Sequence, residues 1–472
     1  MRMSSLWSID SMKPSNGNIA KPLRRFLPAS VLTLAFAFPF ASAQAQSSEQ
    51  AVRRLSLESA IDALITKNLT VLAARYNVDL SRAQQAAAAV KPSPTMVISA
   101  NQFALPRVIS YPRYLVETNG NTAANSTYTI DVEKVIERGG KRELRISQAE
   151  IQTEVAEALL KDALRQQLFE LKRAFLEAVF ARENLRVIGD SLGYFNRTQQ
   201  LLRAQVKEGY SAGVDLRRIG LELVEFQGDV GAAEQSYLQS LRDVFNLIGE
   251  GEAAPIKGQA RIVSGQITLL PTRVLDVIEG DLEVKPVSKG IEEIRRLALA
   301  SRPDLRAAEL EAKAAEAAVK LAEAERTRDV TLGAQYARSG SDNAVGLALG
   351  IPISTRARAN AAIAQATAAK LQAEAALQKT RAQVLTDVEK AFLAYSISRN
   401  RLNLFDSQVL RNAKEVRDIE EVAYREGARG LINFLDALRA YNKTLLGYNE
   451  ARHDLALSVY QLELAVGASV TN

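Results

Sequence analysis

The sequence has 472 residues, with 60 basic and 54 acidic side chains, no cysteine and one histidine. The lack of cysteine excludes disulfide scaffolds, thiol catalysis and thiolate metal sites. The net charge of +6 comes from intermixed charges of both signs, which argues against a nucleic-acid-binding surface. Stretches rich in Ala, Leu, Glu, Lys and Arg predict long helices rather than disorder.

The N-terminal segment, residues 1–45, is predicted to be a secretion signal. A basic stretch, Lys21–Arg25, precedes the mostly apolar run Leu27–Phe40, and small-x-small cleavage sites end at Ala43 and Ala45. The apolar run is shorter than the roughly 20 residues that a spanning helix needs, which disfavours an uncleaved anchor. No later segment is long and apolar enough for a spanning helix. The mature chain is therefore expected either in the periplasm or as a β-barrel in the outer membrane.

An internal repeat organises the rest of the chain. Three pairs of segments align between the two halves: Lys67–Ala74 with Ser301–Ala308, Lys207–Gly209 with Arg425–Gly427, and Leu247–Gly249 with Ala465–Gly467. The glycines that end the second and third segments keep the same spacing in both halves, which disfavours chance similarity between Ala-rich helices. We predict a first repeat at 46–249, a linking segment at 250–290, a second repeat at 291–467 and a tail at 468–472.

Each repeat is predicted to contain a helix, two strands, a very long helix, a turn and a final helix. The first repeat has a helix Ser56–Val90, strands Thr95–Phe103 and Thr127–Ile136 around the loop Ala104–Ser126, and the long helix Lys141–Glu208. The second repeat has a helix Ile291–Arg328, strands Asp329–Ala337 and Ala344–Ile353, and the long helix Ala357–Glu426. The linking segment, with three prolines and β-type runs such as Arg261–Val263, is expected to form a small mixed domain against the helices.

The predicted strands alternate between apolar and polar or small residues. Val345, Leu347 and Leu349 alternate with Gly346 and Ala348, a pattern that a membrane barrel requires and that a half-buried soluble hairpin shares. Four strands cannot close a barrel, and an open sheet in lipid leaves two edges of unpaired backbone groups. The chain is therefore expected to share a barrel with further copies of itself.

The two long helices are each about 100 Å long at about 1.5 Å per residue. In the second, apolar and small residues recur at alternating spacings of four and three, which predicts left-handed coiled-coil packing. These residues are Val384, Val388, Ala391, Tyr395, Ser398, Leu402, Phe405 and Val409. Helices of this length do not fit a compact globule, so we expect a rod or a tube.

Together these features resemble the TolC family of outer-membrane efflux proteins. The most specific motif is the segment Tyr424–Arg439, which resembles the family's helix-turn-helix tip, and Glu208–Leu216 is its weaker partner in the first repeat. The resemblance implies a mainly α fold with membrane β structure: a homotrimer with a twelve-stranded β-barrel continued into a periplasmic α-helical barrel, with a small mixed equatorial domain. It also implies a passive duct without cofactors, not an enzyme, that works in the outer membrane with a periplasmic adaptor and an inner-membrane RND-type pump.

The resemblance also assigns roles to residues at the tips. Asp215, Tyr424 and Arg429 match positions that tie neighbouring helices together and hold the tunnel closed. Such a charge-assisted network can break and re-form. Asp436 matches a position in an acidic ring that narrows the periplasmic mouth, whereas Asn433 departs from a family pattern in which a second aspartate is common. The predicted ring therefore carries half the charge.

Gly209 and Gly427 are predicted where each long helix turns back, because glycine adopts positive φ without strain. By resemblance, these glycines also lie in the groove that receives the adaptor's hairpin tips. A plain turn role and a docking role are compatible, and the sequence leaves both open.

The strand-to-helix segment Glu137–Arg142 resembles the corner of the CzcC-type branch of the family, which serves heavy-metal efflux. Divalent cations are therefore the expected cargo, with organic solutes or secreted proteins as alternatives. The chain shows no clustered metal-ligand spacing, and His453 is expected on a helix surface. Two alternatives of other classes are a periplasmic adaptor, which would have one helical hairpin rather than two, and a secreted enzyme, for which no catalytic arrangement is evident.

Overall fold

The computed structural model describes residues 54–101, 127–210, 212–251, 262–263, 266–267, 277–353, 356–405 and 407–471. The predicted signal peptide, the loop 104–126 and most of the linking segment lie outside them. The helices are α1 (Leu57–Lys67), α2 (Leu69–Ala88), α3 (Lys141–Lys207), α4 (Gly213–Leu247), α5 (Ile291–Ser301), α6 (Pro303–Ala324), α7 (Arg356–Asn403), α8 (Ser407–Arg425) and α9 (Leu431–Val466). None of these helices has the length and apolarity needed to cross a membrane.

Four strands, two from each half of the chain, form one antiparallel sheet in the order β1-β2-β5-β6. They are β1 (Thr95–Asn101), β2 (Thr127–Ile136), β5 (Val330–Ser339) and β6 (Asp342–Gly350). The predicted strands are confirmed, with ends shifted by one to three residues. The outer strands β1 and β6 have no second partner among the described strands, so the sheet keeps two open edges.

The two faces of this sheet differ in chemistry. The register places Ile98, Ile130, Tyr336 and Val345 in one row across the four strands, and Met96, Val132, Ala334 and Leu347 in a parallel row. The opposite face carries Ser99, Thr129, Asp131, Glu133 and Gln335 together with small residues of β6. The apolar face is left uncovered, and Leu347 is 90% exposed. One face of the sheet in a single chain is therefore apolar, and the opposite face is largely polar.

Both predicted first helices are interrupted, and at equivalent positions. Asn68 separates α1 from α2: its side-chain oxygen accepts from the N–H groups of Thr70 and Val71, and its amide donates to Leu247 O at 2.9 Å. Arg302 separates α5 from α6 and donates to Ala465 O at 3.1 Å, and Pro303 opens α6. The capping group and the proline each restart the helix in a new direction. The expected continuous helices Ser56–Val90 and Ile291–Arg328 were therefore wrong at these points.

The second long helix is also divided, whereas the first runs unbroken from Lys141 to Lys207. The helix predicted from Ala357 to Glu426 breaks between Asn403 and Ser407. The ring of Phe405 approaches to within 3.2 Å of where a Cβ on Gly447 of α9 would lie, so this aromatic side chain leaves the helical repeat to pack on a neighbouring helix. The predicted seam holds for its first half only, because Val384, Val388, Ala391 and Tyr395 are buried but Val409 is exposed.

The strand-to-helix corner at Glu137–Arg142 is bound to the second half of the chain. Lys141 Nζ lies 2.9 Å from Asp329 Oδ1, and the same oxygen accepts from the backbone N–H of Arg138 at 3.0 Å. Arg145 pairs with Glu137 one turn further along. These contacts fix the direction in which α3 leaves the sheet. In the linking segment, β3 (Ile262–Val263) and β4 (Gln266–Ile267) form a short hairpin, and Ile278 and Val287 make isolated bridges to Leu55 and Thr471.

Helix α9 packs against α3 through polar side chains spaced by about two helical turns. Ser191 donates to Asn442 at 2.8 Å, and Asn449 donates to Asn184 at 3.2 Å. His453 continues the row: its Nε2 lies 2.8 Å from Glu177 Oε2, an ion-pair contact that falls outside hydrogen-bond geometry. The expectation that His453 lies on a helix surface was wrong, since it is 8% exposed. Polar residues in a coiled-coil seam fix the register of the two helices.

The protonation state of His453 is set by its neighbours. Burial alone would lower its pKa, but the Glu177 carboxylate and then Asp454 outweigh burial, so the pKa of His453 is raised. Contact with His453 in turn holds the pKa of Glu177 below its usual value, and Arg173 adds to this effect. Asp454 is itself paired with Arg401 of α7. The pair is therefore ionised on both sides in the interval between these two pKa values.

We predict that this contact makes stability fall as pH rises. Because the pKa of His453 is higher in the folded state, its protonated side chain stabilises the fold fully below the unfolded-state pKa of about 6.5. This contribution to the free energy of unfolding is lost as pH rises through the folded-state pKa. The apparent melting temperature of the detergent-solubilised protein should decrease from pH 6 toward pH 9. Because His453 is the only histidine, the variant His453→Gln should remove this slope, and Glu177→Gln should weaken it. An unchanged slope in both variants would contradict the assignment.

Candidate functional site at the helix tips

Both helical hairpins turn at the positions predicted from the sequence. Gly209 and Gly427 have φ of +83° and +72°. After each, the next N–H closes the helix end: Tyr210 N donates to Gln205 O, and Ala428 N donates to Ala423 O, both at 2.8 Å. This is the Schellman arrangement, which requires a left-handed residue. Nothing lies within 4 Å of a Cβ built on either glycine, so both turns are open to an approaching partner.

A small apolar cluster holds the two tips together. Phe195 and Leu202 of α3, Ile219 of α4 and Phe434 and Leu438 of α9 are buried in one cluster. Apolar side chains from three helices are buried here, and this burial stabilises the fold by about 25 cal/mol per Å² of apolar surface removed from water. The cluster fixes the first turns of α4 and α9, on which most of the predicted gate residues lie.

Tyr424, the last-turn residue of α8, lies at the edge of this cluster. Its ring stacks on Phe434 with centroids 5.9 Å apart. Burial and then the charge of Asp215 raise the pKa of Tyr424, so its hydroxyl remains protonated at neutral pH. That hydroxyl is buried and has no hydrogen-bond partner among the described residues. A buried donor of this kind is normally satisfied in the assembled protein.

Within one chain the predicted ionic triad is only partly assembled. Asp215 is close enough to act on Tyr424 but has its nearest ion-pair contact with Arg218, at 3.9 Å. Arg429 lies 3.3 Å from Glu420 Oε1 rather than beside Asp215. The three predicted residues therefore share one end of the molecule, while Asp215 and Arg429 do not pair inside a single chain.

The two residues of the predicted mouth ring lie on the exposed face of α9. Asn433 and Asp436 are both exposed, one helical turn apart. Asp436 Oδ1 lies 3.3 Å from Arg439, and Arg439 also binds Glu222 of α4. The sequence analysis assigned no role to Glu222 or Arg439. On α4, charged residues recur at spacings of three and four residues on one face, at Asp215, Arg218 and Glu222. This spacing could have identified Glu222 from the sequence.

A further contact at this end was also missed. Arg417 of α8 is 6% exposed and lies between two aromatic rings, 5.1 Å from the centroid of Tyr194 on α3 and 4.4 Å from that of Tyr441 on α9. Cation–π contacts of a buried guanidinium are stronger than exposed ones. This arginine joins α8 to both neighbouring helices above the tip.

A cavity of about 390 Å³ opens beside Tyr424, between α3 and α8. It is lined by Tyr194, Arg197, Thr198, Leu201, Gln205, Glu421, Tyr424, Arg425 and Phe434. No group of three or more histidine, cysteine, aspartate or glutamate side chains in the described part of the chain is arranged to hold a metal ion. The chemistry available at the tips is therefore reversible ion pairing and hydrogen bonding between helices.

Comparisons with known proteins agree on one family. The model of the family described as outer membrane efflux protein matches residues 294–468. The cobalt-zinc-cadmium resistance protein CzcC of Cupriavidus metallidurans is 26% identical over 440 residues, which cover 90% of this chain and 95% of that protein.

Solved structures show the same fold. The outer membrane protein VceC of Vibrio cholerae superposes with a TM-score of 0.66 at 17% identity, over 88% of this chain and 96% of that one. CusC, whose structures concern transmembrane channel formation, superposes with a TM-score of 0.67 at 15% identity, over 88% of this chain and 92% of that one. The helices and the sheet described above are thus those of the TolC-like channels.

Proposed function

We propose that this chain, which matches the outer membrane efflux protein family over residues 294–468, is the passive duct of a tripartite efflux system that exports divalent heavy-metal cations. The observation that carries this proposal is the four-stranded sheet with one apolar face and two open edges. Backbone groups at an open edge are costly in lipid. Three copies, each giving four strands, would close a barrel with its apolar face outward.

The helices support the same assembly. Helices α4 and α8 carry exposed apolar residues at coiled-coil spacings, namely Leu221, Val224, Val416, Ile419 and Val422. Large exposed apolar stripes mark interaction surfaces. A ring of three chains would bury these stripes between neighbours and form the helical barrel in the periplasm, below the outer membrane.

The gate would then form between chains. Tyr424 has a buried hydroxyl without a hydrogen-bond partner in the described part of the chain, and Arg429 and Asp215 do not pair within one chain. In a closed ring, a neighbour's helix could satisfy these groups, so that Asp215, Tyr424 and Arg429 act together. Asn433 and Asp436 would line the narrow mouth just inside. One solvated pair stabilises by only about 0–1 kcal/mol, so closure requires all copies of the network.

The proposed partners are a periplasmic adaptor and an inner-membrane pump, and the open tip turns support the first of them. A periplasmic adaptor would dock where Gly209 and Gly427 leave the turn surface free, and an RND-type pump in the inner membrane would supply the energy. The periplasmic-adaptor interpretation is not favoured, because two hairpins and a four-stranded sheet occur in the chain.

The proposed cargo is a divalent heavy-metal cation. Similarity to a cobalt-zinc-cadmium resistance protein over 90% of the chain supports metal cations, with organic solutes and secreted proteins as the alternatives. The described residues offer no metal cluster.

Conductance tests the gate. In planar bilayers, we expect a small single-channel conductance from the wild type and a several-fold larger one from the double variant Asp215→Ala/Arg429→Ala, because the ties between helices are removed. The single variant Arg217→Ala, which removes an exposed charge next to this network, is the matched control and should leave conductance near the wild-type value. Folded, water-soluble protein that gives no conductance in any form would refute the duct.

The sheet is tested by two adjacent substitutions. Leu347→Asp places a charge on the apolar face, where a charged side chain in lipid destabilises a barrel, although aspartate costs less than the about 2–4 kcal/mol of arginine or lysine near the midplane. Ala348→Asp places the same charge on the polar face. We expect the first to abolish heat-modifiable trimers in the outer membrane and the second to retain them. Equal assembly of both variants would show that the apolar face does not contact lipid.

The cargo is tested by growth. Deletion of the gene in its host should lower the inhibitory concentrations of cobalt, zinc or cadmium and leave those of organic antibiotics unchanged. Complementation with the wild type, but not with Leu347→Asp, should restore resistance. Sensitivity to organic compounds alone would favour drug efflux instead.

A further inference from the structure

Arg439 occupies a branching point at the predicted mouth. Its guanidinium binds Glu222 of α4 on one side and lies 3.3 Å from Asp436 of its own helix on the other. The Glu222 side chain is 15% exposed, whereas that of Asp436 is 64% exposed. The arginine, itself 47% exposed, is therefore anchored by the less exposed Glu222 and contacts Asp436 at the surface.

Glu222 is the main partner of Arg439. One of its carboxylate oxygens accepts from Arg439, and the other is buried without a partner among the described residues. The hydrogen bond to Glu222 is the main reason that the pKa of Arg439 is raised, with Asp436 and Glu225 adding to it. Arg439 thus stays charged, and a buried carboxylate holds it in place.

The charge available at the mouth is then smaller than the sequence suggests. Asn433 is neutral, and Asp436 shares a cation that is fixed 3.3 Å away. Rings of carboxylates attract cations, and nearby fixed cations cancel that attraction. The arginine also lies at the junction of α4 and α9, so its partners change if these helices separate.

We propose that Arg439 sets the charge selectivity of the periplasmic mouth by neutralising Asp436 while Glu222 holds it in position. This inference rests on the proposed duct. Arg439 and Glu222 act through Asp436, so they are positioning residues for the cations that enter. Opening of the tips, which would separate α4 from α9, leaves Arg439 with Asp436 as its remaining partner and keeps the mouth weakly selective in both states.

Four variants of the full-length trimer separate charge from structure. Arg439→Gln and Glu222→Gln break the same contact between α4 and α9, but they change the charge of each chain's mouth in opposite directions. Asp436→Asn removes the acceptor, and Arg439→Gln/Asp436→Asn restores the wild-type net charge. All four are reconstituted in planar bilayers, and the reversal potential is measured in a potassium chloride gradient.

The ratio of cation to anion permeability should rise about twofold or more in Arg439→Gln, since Glu222 and Asp436 of every chain lose their shared counter-charge. It should fall below the wild-type ratio in Glu222→Gln and Asp436→Asn, and return to the wild-type ratio in the double variant. A shift in the same direction for Arg439→Gln and Glu222→Gln would overturn the proposal, because loosening of the tips alone predicts it. A conducting wild type with unaltered selectivity in Arg439→Gln would also overturn it, while leaving the duct intact.

Discussion

Helix α3 is the element on which the rest of the described chain depends. It is unbroken over 67 residues, and α1, α2, α4, α6 and α9 all pack along it. Apolar clusters supply most of the driving force, but Ser191, Asn184 and Glu177 add polar contacts to α9 at regular intervals. Such contacts contribute little net stability, since each replaces hydrogen bonds to water. Their effect is to allow one register only, and the register decides which residues of α9 reach the tip.

The same constraint explains how the two halves of the chain remain related while differing in detail. Asn68 and Arg302 interrupt their helices at equivalent places and bind equivalent carbonyls, Leu247 O and Ala465 O. The first uses a neutral amide as a cap. The second uses a buried guanidinium that also pairs with Asp304 and Asp387. The same helix break is thus stabilised by two different side chains. Either side chain serves, because what must be satisfied is the carbonyl group at a helix end.

A single chain leaves several requirements unmet. The sheet has uncovered apolar residues and open edges, α4 and α8 have exposed apolar stripes, and Tyr424 has a buried hydroxyl without a partner in the described residues. These features lie at different parts of the chain. In the proposed ring of copies, neighbouring chains would cover the apolar surfaces, pair the strand edges and supply a partner for the Tyr424 hydroxyl. Within one chain, Arg417 and Arg439 provide contacts that join helices near the tips.

The sequence by itself determined the sheet strands, the unbroken first long helix and the turn glycines, because each depends on a local pattern. Alternation in Val345–Leu349 and the positive φ of Gly209 and Gly427 are properties of a few adjacent residues. Only the tertiary structure decided that His453 is buried, that the second long helix breaks at Phe405 and that Arg429 pairs with Glu420 within the chain. The same holds for Arg439, which bridges Glu222 and Asp436 from two helices. Each of these depends on which face of a helix meets a partner distant in sequence, and helical periodicity alone does not specify the partner.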